Sequence, residues 1–150
     1  MKNKPYADFP TWDEVRPQLY TSQEIIESDL QVALLDDKNR MEKQIIKDTA
    51  KEMKARAEKI LPDKVYKGYL YGSCARGDYS WDSDIDVLII LDCEGQQLSS
   101  YTHKLLDISD EISLRNEVNL SLQTSVKNEW LKYKDISLYY RNILREGMVV

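Results

Sequence analysis

Hydrophobic and polar positions along this chain change period several times, and each change marks an element. From about Asp37 to Leu61, Met41, Ile45, Ala50, Met53, Ala57 and Ile60 recur at helical spacing. This predicts a long amphipathic helix, with Glu52 and Arg56 as an i, i+4 surface pair and Pro62 as its stop. Lys and Arg crowd its polar face, but acidic residues are interleaved among them, which describes a solvated face rather than a nucleic-acid surface. Val65–Tyr71 is rich in β-formers and reads as a strand; Asp86–Leu91 reads as a second. The unbroken apolar run of the second predicts a central strand covered on both faces. Leu98, Tyr101, Leu105, Ile108 and Ile112 return to helical spacing, and Val118–Gln123 alternates as a half-buried strand should. Two helical stretches close the chain, one carrying Trp130 and one carrying Leu138, Tyr139, Tyr140, Ile143 and Leu144, with Gly147 placed to cap the last.

Ahead of the long helix, the chain to about Leu35 reads as short helices and turns. Thr11–Glu14 and Thr21–Glu24 both fit the capping box, and Pro17 limits the first helix. The second carries Ile25, Ile26, Leu30, Val32, Ala33 and Leu34, an apolar face expected to dock on the domain's own core; a partner-binding arm is the alternative. The order helix, strand, strand, helix, strand, helix predicts an α/β or α+β domain over residues 37–150, preceded by a helical arm over 1–36.

Composition narrows the function classes. At 150 residues, 42% hydrophobic and 31% charged, the chain suits one folded domain and not a disordered segment. No apolar run approaches the roughly 20 residues of a membrane span. The start MKNKPYADFP has no apolar core of a secretory signal, and two cysteines make no disulfide framework, so the expected location is cytoplasmic. A net charge of −5 disfavours coating nucleic acid, though a tRNA end stays open as a substrate. The single histidine, His103, removes Ser-His-Asp hydrolases and multi-histidine metal sites as easy readings. Chemistry is left to carboxylates, hydroxyls and backbone.

Those groups concentrate between Leu70 and Leu88. Gly72-Ser73 follows a strand directly, where glycine lets a ligand approach the backbone and Ser73 adds a hydroxyl. If Ser73 opens a short helix, its free N–H groups form a turn suited to phosphate, and Arg76 adds a positive contact one turn later. Asp84 and Asp86 flank Ile85 at the start of the apolar strand, so alternation sets both carboxylates on one face. Side by side they repel, and a hard cation such as Mg²⁺ or Mn²⁺ relieves the repulsion. A solvated strand end is the bland alternative for the pair alone; a phosphate turn beside it favours a metal–nucleotide site.

The pattern Gly72-Ser73-x-Ala75-Arg76-Gly77, a spacer, then Ser83-Asp84-x-Asp86, resembles the signature of the DNA polymerase β-type nucleotidyltransferase superfamily, and within it the bacterial minimal nucleotidyltransferases. The order of elements agrees from roughly Met41 to the C-terminus, including the closing Ile143–Gly147; the segment up to about Leu35 lies outside the resemblance. The resemblance implies a small mixed sheet flanked by helices, with the site at one sheet edge. It implies that Gly72 and Ser73 hold the triphosphate of an NTP, foremost ATP, and that Asp84 and Asp86 ligate the divalent metals. The implied reaction is attack of an acceptor hydroxyl, on a protein or small molecule, on the α-phosphorus with release of pyrophosphate.

One position departs from the family. A third carboxylate is usual on a later strand, in a context like Val-Asp-Leu, where this chain has Val118-Asn119-Leu120. Asn119 offers a carbonyl oxygen without charge and cannot take the acceptor's proton, so slow turnover is expected. Glu117 shares the predicted strand face and is a candidate substitute, a surface role being the alternative. The loss also suits a second reading, a catalytically weakened nucleotide-binding or antitoxin-like partner of a helical HEPN-type toxin protein, the partner the resemblance implies. Smaller expectations follow. Cys74 is a small residue in a tight turn, Cys93 is inert, Asp78 and Asp82 solvate the spacer, His103 lies at the surface, and Trp12, Trp130 and the tyrosines serve core and interfaces. A DNA-binding helix-turn-helix in the first 35 or so residues fits poorly with their acidity.

Overall fold

The two β-rich runs pair with each other at the centre of a four-stranded sheet in the computed structural model, which describes residues 22–80 and 82–150. In chain order the elements are α1 (Ser22–Ile60), β1 (Val65–Tyr71), α2 (Ser73–Arg76), β2 (Ile85–Leu91), α3 (Gly95–Asn116), β3 (Leu120–Val126), α4 (Lys127–Tyr133), α5 (Leu138–Glu146) and β4 (Met148–Val149). The strand order is β3-β2-β1-β4. β1 runs antiparallel to both β2 and β4, while β2 and β3 are parallel, joined by the crossover helix α3. The sheet is therefore mixed and flanked by helices, as expected.

Alternation along β2 divides the core between the two faces of the sheet. Ile85, Val87, Ile89 and Leu91 pack with Ile46, Ala50, Met53 and Ala57 of α1 and with Leu105, Ile108 and Ile112 of α3. Leu88 and Ile90 point the other way and pack with Tyr69, Trp130 and Ile143. Val87 to Leu91 are all essentially inaccessible, which bears out the reading of a central strand covered on both faces. Two ion pairs, Arg56–Glu111 at 2.7 Å and Arg115–Glu52, tie α1 to α3. Glu52 and Arg56 thus each take a partner on the other helix rather than each other.

Several local readings shift. The buried stripe of α1 runs through Ile46, not Ile45, which is 44% exposed; Ile60 is exposed as well. One continuous helix from Ser22 to Ile60 takes the place of the second expected short helix and of the separate start near Asp37. The chain divides into two compact units, Met1–Glu42 and Lys43–Val150. In the first unit, described by itself, Ile26, Leu30, Val32, Leu34 and Leu35 are each more than half exposed. The capping boxes at Thr11 and Thr21, and Trp12 and Pro17, lie outside the described residues. Glu117 is not on a strand: it caps α3 in the left-handed conformation (φ 54°), and β3 begins three residues later. Gly147 does cap α5, but with extended backbone (φ −76°). Glycine is needed there because a Cβ would lie 2.3 Å from the Ile143 carbonyl oxygen and 3.2 Å from that of Leu70. No described helix is long and apolar enough to cross a membrane.

Candidate nucleotide site

The carboxyl-terminal end of β1 meets the amino-terminal end of β2, and this junction gathers the chemistry. Antiparallel register sets Tyr71 opposite Asp86, and parallel register sets Ser121 beside Asp86 on the other flank. Asp86 lies on the sheet face shared with Leu88 and Ile90, because residues two apart on a strand point the same way. Asp84 is exposed, just ahead of β2.

Gly72 makes the turn possible. Its φ of 72° and ψ of −157° fall in a region open essentially to glycine alone. A Cβ built there would lie 2.3 Å from Asp86 Oδ2. The turn and the carboxylate are thus in van der Waals contact, with room for nothing larger than hydrogen. Ser73 opens α2 as expected, and the Ala75 and Arg76 amides both donate to the Gly72 carbonyl at 3.1 Å. The amides of Ser73 and Cys74 precede them, first-turn donors of the kind that hold phosphate. The Cys74 thiol donates to the Asp84 carbonyl at 3.2 Å, which fixes α2 to the strand entrance.

Electrostatics mark Asp86 as the focus. Its pKa is raised above the ordinary carboxylate value, first by burial and then by the charge of Asp84; Arg76 and hydrogen bonding from Ser121 pull it back. The like-charge repulsion inferred from Asp84-Ile85-Asp86 is therefore present. Burial and then the Asp86 charge raise the Cys74 thiol, so it is no reactive thiolate and keeps the role of a turn residue. Tyr71 is likewise held well above the ordinary phenol value by burial, its hydrogen bond with Tyr139 and the nearby Asp86.

The donor set fits a hard divalent cation: two adjacent carboxylates whose mutual repulsion needs an offset, with the Ser121 hydroxyl alongside. Among the described residues no group of three or more His, Cys, Asp or Glu is placed to hold a metal ion. Such a cation would draw its remaining ligands from phosphate oxygens and water. Asn119 is exposed ahead of β3, and its backbone carbonyl accepts from Ile85 N–H at 2.7 Å. Glu117 stands exposed in the α3 cap, two residues further back.

Four features escape the sequence pattern. Tyr139 of α5 donates its hydroxyl to that of Tyr71 at 2.8 Å, with the rings edge to face. Arg76 is held by Asp78 and by Glu146 of α5, each at 3.3 Å. Asp82 accepts from the Ser80 hydroxyl at 2.6 Å. Asp78 and Asp82 thus brace the spacer rather than merely solvate it. The register of β2 and β3 puts Ser121 beside Asp86, a pairing that only the third dimension supplies.

A family model described as a nucleotidyltransferase domain matches residues 46–144, a span that contains the turn, the carboxylate pair and Asn119. Two proteins of Methanocaldococcus jannaschii, each named as a putative protein adenylyltransferase, are similar to the chain. One is 37% identical over 71 residues, covering 47% of this chain and 70% of the relative. The other is 34% identical over 88 residues, covering 58% and 79%.

Proposed function

The chain belongs to the nucleotidyltransferase domain family, a family of transferases, and on that premise we propose that it moves a nucleoside monophosphate from ATP to a hydroxyl on a protein, with Mg²⁺ or Mn²⁺ bound. The observation that carries this reading is the contact between Gly72 and Asp86. It joins a phosphate-type turn and a carboxylate pair into one site, as a metal–triphosphate complex requires. The protein acceptor is supported by the names of the two relatives.

Each residue then has a task. Gly72, with the first amides of α2 and the Ser73 hydroxyl, receives the β- and γ-phosphates. Arg76 adds a guanidinium to the same oxygens. Asp84 and Asp86 would hold the divalent ion, which supplies charge neutralisation at the phosphates and polarises the reacting oxygens. Hydrogen bonding from Ser121 on the β3 flank favours the charged form of Asp86. Asn119, on that same flank, offers a neutral carbonyl oxygen and cannot accept the acceptor's proton.

The weakened-partner reading keeps one observation in its favour: among the described residues no group of three or more His, Cys, Asp or Glu is placed to hold a metal ion, and Asn119 and Ser121 on the β3 flank carry no charge. Asn119→Asp separates the readings. A gain of about tenfold or more in label transfer marks an enzyme slowed by the missing charge; an unchanged rate shows that another group does its work. The primary test is incubation with α-labelled ATP and Mg²⁺ or Mn²⁺, alone and with candidate acceptors, a co-encoded helical HEPN-type protein among them. Asp86→Asn should abolish transfer and weaken metal-dependent ATP binding at least about tenfold. Intact Mg²⁺-dependent binding in that variant would show the site to be misassigned.

A further inference from the structure

Helix α5 carries none of the candidate site residues of the sequence, yet it reaches the site through Glu146. Arg76 ends a four-residue helix, with its side chain 41% exposed. A long cation so placed samples many rotamers unless something holds it. Two carboxylates do. Asp78 Oδ2 accepts from Nε, and Glu146 Oε2 accepts from Nη1, each at 3.3 Å. Among the described residues Nη2 makes no such bond, so one face of the guanidinium is left for a ligand.

The two holders differ in kind. Asp78 sits two residues away and moves with the same loop. Glu146 comes from a helix anchored to the sheet at several points. Tyr139 bonds Tyr71 on β1, the Tyr140 and Ser125 hydroxyls share a hydrogen bond of 2.8 Å to β3, and Ile143 is buried in the second core cluster. Gly147 lets the end of α5 close against the Leu70 carbonyl. Arg145 Nη2 takes the other oxygen of Glu146, Oε1, at 3.0 Å, leaving Oε2 facing Arg76. A sheet-anchored carboxylate thus fixes the guanidinium beside the turn whose charge balance Arg76 already affects at Asp86.

We propose that Glu146 is a positioning residue for the triphosphate: it pre-orients Arg76 toward the phosphates and does not itself touch the nucleotide. The inference rests on the reading of the Gly72–Arg76 turn as a triphosphate site.

The experiment is calorimetric titration of the full chain with ATP and with AMP, both in Mg²⁺, for wild type, Arg76→Ala, Glu146→Ala, Glu146→Gln and the double variant Arg76→Ala with Glu146→Ala. Thermal unfolding of each is followed in parallel. Arg76→Ala should weaken ATP binding about tenfold or more, and Glu146→Ala about threefold to tenfold, with AMP affinity unchanged. Glu146→Gln, whose amide oxygen still accepts from Arg76 and whose fold is least at risk, should recover most of the loss. Because Glu146 acts through Arg76, the double variant should bind ATP no worse than Arg76→Ala alone. Additive losses, equal losses for AMP and ATP, or tighter ATP binding by Glu146→Ala or Glu146→Gln would each overturn the proposal while leaving the triphosphate site in place. A wild-type protein with no Mg²⁺-dependent ATP binding would overturn both.

Discussion

A methyl group on Gly72 would sit 2.3 Å from Asp86 Oδ2, on a backbone with φ of 72°. Two penalties coincide there, a conformation that side chains avoid and a clash with the central carboxylate. Gly72→Ala should therefore cost about 1–3 kcal/mol of stability, measured by urea unfolding. It should also abolish Mg²⁺-dependent ATP binding, because the carboxylate must move to admit the methyl. A stable variant that binds normally would show that the turn does not set the position of Asp86. At this scale the sequence was legible wherever the contributing residues are neighbours. Gly72, Ser73, Asp84 and Asp86 stand in one short stretch, and strand alternation alone aligns the carboxylates. What was not legible is long-range: Tyr139 on Tyr71 and Glu146 on Arg76 are partnerships across 68 and 70 positions. Periodicity within a segment carries no information about them.

The elements show the same division between local and non-local causes. β1 was legible to the residue and β2 within one, because composition and burial both act within those segments. β4 has two residues, exists by pairing with Tyr69 and Leu70, and has no pattern of its own. The start of β3 was misplaced because Val118 and Asn119 continue the alternation, while the α3 exit through left-handed Glu117 delays the first ladder pair to Leu120. The predicted stripe of α1 is buried at Ala50, Met53 and Ala57, but one turn earlier Ile46 is buried in place of Ile45; the two are adjacent and both apolar, and only packing against β2 and α3 chooses between them. That choice is measurable. Ile46 is 8% exposed in the main core and Ile45 is 44% exposed. Ile46→Ala should cost about 2–4 kcal/mol through lost burial and a residual cavity. Ile45→Ala should stay within about 0.5 kcal/mol, as exposed positions do. Equal costs in denaturant unfolding would mean that α1 sits on the sheet in a different rotation.

For the molecule as a whole the governing quantity is charge. The chain carries −5, and its proposed ligand is a polyanion. The long-range field therefore opposes binding, and the Asp84–Asp86 pair adds local repulsion that already raises the Asp86 pKa. Attraction comes from short-range sources: the Arg76 guanidinium, the backbone amides of α2 and a divalent ion between carboxylates and phosphates. Two consequences follow with opposite signs. With Mg²⁺ present, ATP binding should be strong, and chelation with EDTA should reduce it about tenfold or more. In EDTA, raising salt from about 0.05 to 0.3 M shortens the screening length and weakens the repulsion, so the residual ATP affinity should rise or hold steady. A nucleic-acid-type polyanion site behaves the other way, losing affinity steeply with salt because bound cationic side chains release counterions. Asp86→Asn offers an independent check on the sign: it should weaken ATP binding in Mg²⁺ and strengthen it in EDTA, since the same carboxylate attracts through the ion and repels without it. If the variant weakens binding equally in both conditions, Asp86 serves the fold of the turn rather than the ion, and the charge argument fails with it.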